Sequence, residues 1–139
     1  MRIMAIDYGD AHTGIAISDP TGFLAGFTTV INAYRPEAVA EQISALAKEH
    51  GVEELVLGHP INMDGTRGPR SEKAQAMKAL LEETASLPVV LWDERRTTID
   101  AHQILMNSGK NAKKRKKVVD AVAATLILEG YLTYKKSHP

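Results

Sequence analysis

The 139-residue sequence predicts an α/β domain built on a mixed sheet, with an antiparallel unit first and two parallel strands flanked by helices after it. Two observations carry that reading. Near the start, the apolar runs RIMAID (residues 2–7) and GIAIS (14–18) are separated by the turn-forming YGDAHT, so they pair as a hairpin. Beyond residue 52, short apolar runs alternate with helical periods, and strands separated by helices join in parallel through crossovers. Composition agrees: 44% apolar and 24% charged residues are ordinary for a globular chain. A chain of this length buries about two-thirds of its unfolded surface in one core, so a single domain over residues 1–139 is expected.

The elements follow in order. After the hairpin, the turn signal DPTG leads into FLAGFTTVI, a third extended stretch that enlarges the antiparallel part. Pro36 suits a first helical turn, Val39, Ile43, Leu46 and Ala47 recur on one face, and Gly51 is a stop, which predicts a helix over about 36–50. ELVLG (54–58) is a strand, SEKAQAMKALLEETA (71–85) a helix and PVVLW (88–92) a strand. TTIDAHQILMNSG (97–109) is a helix with a capping box at Thr97 and Asp100 and a stop at Gly109, and a last helix covers about 115–134.

The absence of cysteine excludes disulfides, thiolate nucleophiles and cysteine-rich zinc sites. No apolar run reaches the 18 or so residues of a membrane span, and MRIMAIDYG lacks the long apolar stretch of a signal peptide, so a cytoplasmic location without a membrane partner is expected. The formal charge is zero, with 17 basic and 17 acidic residues, but its distribution is uneven. Lys110, Lys113, Lys114, Arg115, Lys116 and Lys117 are uninterrupted by any acid, so a neutral total conceals a strongly positive segment.

That basic run leads into VVDAVAATLIL, an apolar helix with one early acid, Asp120. Asp7 ends the first strand and Glu94 follows the PVVLW strand, at the carboxyl edge where open α/β sheets form their crevices. Taken singly, Asp7 and Glu94 also read as turn or capping residues, and Asp120 as a solvent-facing or capping acid. Ala121, Ala123 and Ala124, however, let the last helix approach the sheet closely, where a carboxylate needs a partner. Convergence of the three acids requires a compensating cation, and oxygen-only ligands point to Mg²⁺ or Mn²⁺. Two such ions would activate a water and stabilise the leaving oxygen in phosphodiester hydrolysis.

The blocks AIDYGDAHTGIAISDP, GHPINMDGTRGP, WDERRTTIDAHQIL and KKRKKVVDAVAATLILEGYL, in this order and spacing over about residues 2–134, resemble the pre-16S ribosomal RNA nucleases. That family is also described as Holliday junction resolvase-like, with an RNase-H-like fold. The resemblance implies a five-stranded mixed sheet of order 3-2-1-4-5, strand 2 antiparallel, with helices on both faces. It also implies catalytic metal ligands at Asp7, Glu94 and Asp120, and a substrate in the 5′ leader of precursor 16S ribosomal RNA, within the small-subunit precursor. Two positions depart from the family pattern. Ala11 and His12 stand where a basic pair is usual in the first turn, and His59 stands where an apolar residue commonly precedes the proline.

Further residues are substrate-binding candidates. Gly9 lets backbone N–H groups approach a phosphate, though turn geometry also accounts for it. His59 reads as a substrate contact or as a surface histidine without a role. Asn62 and Thr66 belong to PINMDGT, a rigid loop at the scissile strand or a plain turn. Arg95 and Arg96 can grip a phosphate bidentately or pair with an acid. Lys113, Lys114, Arg115, Lys116 and Lys117 gather a polyanion beside Asp120, or form a solvated run. Trp92 and Leu126, Ile127 and Leu128 read as packing residues.

The expected activity is thus a metal-dependent endonuclease acting on precursor rRNA, working as a monomer or weak homodimer. The alternatives are a resolvase acting on branched DNA, and a non-catalytic nucleic-acid-binding factor in ribosome assembly or transcription. DYGDAHTG also resembles the phosphate loop of actin-like ATPases and sugar kinases, which enclose nucleotide between two such domains where this chain has the length of one.

Overall fold

A computed structural model describes residues 1–21, 25–60, 65, 68–93 and 112–138, with side chains in the last segment from residue 121 onward. Strands β1 (Arg2–Asp7), β2 (His12–Ser18), β3 (Ala25–Asn32), β4 (Val52–His59) and β5 (Val89–Asp93) form one sheet of order β3-β2-β1-β4-β5. β1 pairs antiparallel with β2 and β2 with β3, whereas β4 lies parallel to both β1 and β5. This is the order and sense that the sequence resemblance implies.

Three helices appear among the described residues: α1 (Pro36–His50), α2 (Pro69–Ala85) and α3 (Ala112–Ser137). α1 starts on Pro36 and ends at Gly51, whose left-handed φ of 66° lets its N–H reach the carbonyls of Ala47 and Lys48. α2 begins at Pro69, earlier than the apolar pattern indicates, because a proline at the first helical position gives up no helical hydrogen bond. α3 extends back through the basic run to Ala112, since lysine and arginine are good helix formers. The predicted helix over 97–109, with its Thr97, Asp100 and Gly109 signals, lies outside the described residues.

Alternation along the strands builds two cores. Met4, Ile6, Ile15, Ile17, Leu55 and Leu57 meet Val39 and Ile43 of α1 and Ala74, Met77 and Leu81 of α2 on one face. Ile3, Ala5, Ala16 and Val56 meet Ala124, Ile127, Leu128 and Tyr131 of α3 on the other. Each large buried side chain contributes about 1.5–3 kcal/mol, so both faces must be covered for the sheet to be stable. Trp92 packs here, 6% exposed and edge-on to Tyr131 at 5.7 Å, in the core role its neighbours predict.

The amino ends of the strands are tied by polar contacts. Arg2 Nη1 donates to the His50 carbonyl at 2.6 Å, and the Ile3 N–H donates to Ser18 Oγ at 2.9 Å. The Tyr131 hydroxyl donates to Glu54 Oε1 at 2.6 Å, and Lys135 Nζ lies 3.5 Å from the same carboxylate. Lys135 also reaches Met1 Sδ at 4.0 Å, so the end of α3 lies at the amino end of the sheet.

Candidate active site

Asp7 is the last residue of β1 and pairs with Gly14 of β2. Because Ile3 and Ala5 belong to the α3-covered core while Met4 and Ile6 belong to the other, alternation sends Asp7 toward the α3 face. The register Ile6↔Leu57 brings Gly58 of β4 beside it. Gly58 has no side chain, so the strand next to Asp7 leaves space at the carboxyl edge of the sheet.

Asp7, Tyr8, Gly9, Gly58, Arg70 and Lys73 line a polar cleft here of about 20 Å³, room for roughly one water-sized group. The tight turn after Asp7 needs glycine at position 9, where an added Cβ would collide with the His12 carbonyl oxygen. Turn sterics therefore account for Gly9, and the backbone exposed at that turn borders the cleft.

Arg70 and Lys73 come from the first turns of α2. Lys73 Nζ donates to Asp10 Oδ1 at 2.9 Å across an exposed pair. That hydrogen bond, reinforced by the ammonium charge, lowers the Asp10 carboxyl below its usual range and raises the Lys73 ammonium above its own. Burial, the largest cause, raises the Tyr8 phenol, with Asp10 and Glu37 adding to it and Lys73 opposing it. Tyr8, Arg70 and Lys73 are not among the site residues that the sequence singles out. One signal was available: cations in the first turn oppose the helix dipole, and Arg70 and Lys73 stand there despite it.

His59 requires a correction. It is 6% exposed, not a surface residue, and its Nε2 lies 2.6 Å from Oγ of fully buried Ser71. It ends β4 on the same face as Leu55 and Leu57, so it meets α2 and helps seat that helix against the sheet. Ser71 Oγ also accepts from Gln75 Nε2 at 3.2 Å. His59 thus borders the site through the position of Ser71 and the neighbouring Arg70, by a buried contact.

The other predicted site residues divide in two. The backbone of α3 contains Lys113, Lys114, Arg115, Lys116, Lys117 and Asp120, all within its first turns. Glu94, Arg95, Arg96, Asn62 and Thr66 lie outside the described residues. Among the described residues no three His, Cys, Asp or Glu side chains gather as a metal group, and of the three predicted ligands only Asp7 has a described side chain. No described helix is long and apolar enough to cross a membrane.

Comparison with known proteins adds to this geometry. A family model described as "RuvX: Holliday junction resolvase" matches residues 1–134. A Halothermothrix orenii protein described as "Putative pre-16S rRNA nuclease" is 45% identical over 135 residues, covering 97% of this chain and 96% of its own. A Bacillus subtilis protein of the same description is 44% identical over 134 residues, with 95% and 97% covered. Among solved structures, T. thermophilus RuvC in complex with Holliday junction substrate superposes with a TM-score of 0.64 at 15% identity, covering 97% of this chain and 96% of that one. At that identity the likeness establishes the fold alone, which is RuvC-like. By its family match and these near-full-length identities, the chain belongs to the RuvX nuclease family.

Proposed function

We propose that this chain is a divalent-metal-dependent endonuclease that hydrolyses phosphodiester bonds in precursor 16S rRNA, with Asp7, Glu94 and Asp120 as its metal ligands. The observation that carries the reading is Asp7 beside Gly58, at the carboxyl edge and on the face that α3 covers. The substrate follows from the names of relatives that match this chain over nearly its full length.

The course of α3 supports a role for Asp120. Its far end is held at Glu54 and Met1, at the start of the sheet. Fifteen helical residues back from Lys135 to position 120 cover about 22 Å, and six extended residues from Met1 to Asp7 cover about 20 Å. Position 120 thus comes level with the end of β1, on the same helical stripe as buried Ala124 and Ile127. Glu94 follows Asp93, the last residue of β5, in the chain, and β5 itself lies two strand spacings, or roughly 10 Å, from β1.

A donor set of carboxylates, in a chain without cysteine, fits Mg²⁺ or Mn²⁺. When bound, such ions supply an activated water and neutralise charge on the departing oxygen. The protein does the rest. Arg70 and Lys73, on the α2 side of the carboxyl edge, draw the substrate backbone toward the end of β1. Positions 113, 116 and 117 precede 120 on one side of α3, where lysines draw the substrate backbone toward the acids. Arg95 and Arg96, next to Glu94, and the loop of Asn62 and Thr66 complete the substrate grip.

The test is cleavage of a precursor 16S rRNA fragment beside a four-way DNA junction, with and without Mg²⁺ or Mn²⁺. Wild type should cut the RNA only with metal, while Asp7→Asn, Glu94→Gln and Asp120→Asn bind it without cutting. Cutting of the junction alone would favour the resolvase that the family description names. Full cleavage by all three variants would remove the proposed site.

A further inference from the structure

We infer that the groove between α2 and the segment leading into α1 is a nucleobase subsite, in which Tyr8 and Tyr34 take one unstacked base from the strand held at the cleft. The inference rests on the nuclease reading above and adds a substrate class to it: nucleic acid with single-stranded nucleotides beside the scissile phosphate.

Tyr8, Tyr34, Pro36, Met77, Leu80 and Lys73 line the groove, which encloses about 250 Å³, against about 20 Å³ for the cleft beside Asp7. The cleft is polar and holds little more than a phosphate oxygen or a water; the groove is apolar and roomy enough for a planar heterocycle. The two adjoin, with Tyr8, Asp10 and Lys73 lining both. Tyr8 follows Asp7 directly in the chain, so a base in the groove belongs to a nucleotide adjoining the phosphate at Asp7. Lys73, on the shared wall, is placed to meet the linking phosphate.

Tyr34 gives the groove its chemistry. It is 80% exposed, the most exposed of the large apolar and aromatic side chains described, and its ring is a free stacking surface at the groove's rim. Aromatic faces stack on any base, which is how proteins hold single strands without reading sequence. A base inside a duplex has its faces covered and cannot enter, so this groove selects unpaired nucleotides. The Tyr8 hydroxyl, on the groove wall, can donate to a base edge.

The experiment measures binding of full-length protein, in EDTA to prevent cutting, to an RNA hairpin with a single-stranded 5′ tail carrying 2-aminopurine, and to the same hairpin made blunt. Wild type should quench the 2-aminopurine and bind the tailed RNA more tightly. Tyr34→Ala should lose the quench and weaken tailed binding roughly 5- to 150-fold, the range for loss of one stacked aromatic, with blunt binding unchanged. Tyr34→Trp should retain both. Equal Kd and quenching for Tyr34→Ala and wild type would overturn the subsite while leaving the nuclease reading intact. Failure of wild type to bind the tailed RNA more tightly than the blunt one would likewise overturn the subsite, whereas the nuclease reading stands or falls on metal-dependent cleavage.

Discussion

The two ends of the sheet use similar residues to opposite effect. At the amino end, Glu54 accepts from Tyr131 and pairs with Lys135, while Arg2 and Ser18 saturate backbone groups of His50 and Ile3. At the carboxyl end, the described ion pair, Lys73 with Asp10, is open to water on both sides, and Arg70 borders a cleft whose neighbouring strand position is the glycine Gly58. Polar groups at the first end are committed to the fold; at the second they remain available to a ligand. The contrast fits a neutral chain that binds a polyanion at the end of the sheet where its charges face water.

Changes at the two ends should therefore separate stability from activity. The largest effect is expected of Asp7→Asn, which should lower cleavage by on the order of 10³-fold or more while thermal unfolding shows stability held or raised. Leu55→Ala, at a fully buried position of β4, should cost about 2–5 kcal/mol in urea unfolding, with cleavage per folded molecule unchanged. If the Asp7 variant lost stability as the Leu55 variant does, the division between the ends would collapse.

Smaller changes sharpen it. Tyr131→Phe removes one hydrogen bond at the closed end and should cost about 1 kcal/mol without affecting cleavage. Burial first, then the bond to Glu54, holds the Tyr131 phenol well above its ordinary range. A raised folded-state value means that its stabilisation is complete below the unfolded phenol value of about 10 and is lost as pH rises above it. The gap between wild type and Tyr131→Phe should therefore narrow in unfolding measured above about pH 10. Asp10→Asn, at the open end, releases Lys73 and should tighten RNA binding about 2- to 5-fold at low salt, steepening the salt slope by about 0.7, with the melting temperature unchanged.

Much of the fold is visible in the sequence because period and burial agree: RIMAID and GIAIS alternate between two cores, and Val39 and Ile43 mark one face of α1. Element ends are less visible. Pro69 and the lysines after Ala112 continue their helices through positions where no apolar residue marks the face. Asp7 can be picked out as an acid at a strand end, but His59, a polar residue at a position usually apolar in the family, reads as a substrate contact or a surface residue, whereas its alternation with Leu55 and Leu57 puts it inside. Arg70 and Lys73 read as an ordinary helix surface, since their nearness to Asp7 arises only when α2 docks on the sheet. Tyr34 carries no periodic signal at all; its meaning comes from sharing a groove with Tyr8.

The claim beneath this account is that Asp7, Glu94 and Asp120 jointly hold a metal ion, and Mn²⁺ binding followed by electron paramagnetic resonance, without nucleic acid, tests it most directly. Wild type should bind, and Asp7→Asn, Glu94→Gln and Asp120→Asn should each weaken binding by about tenfold or more. Equal Mn²⁺ affinity in all four proteins would contradict it.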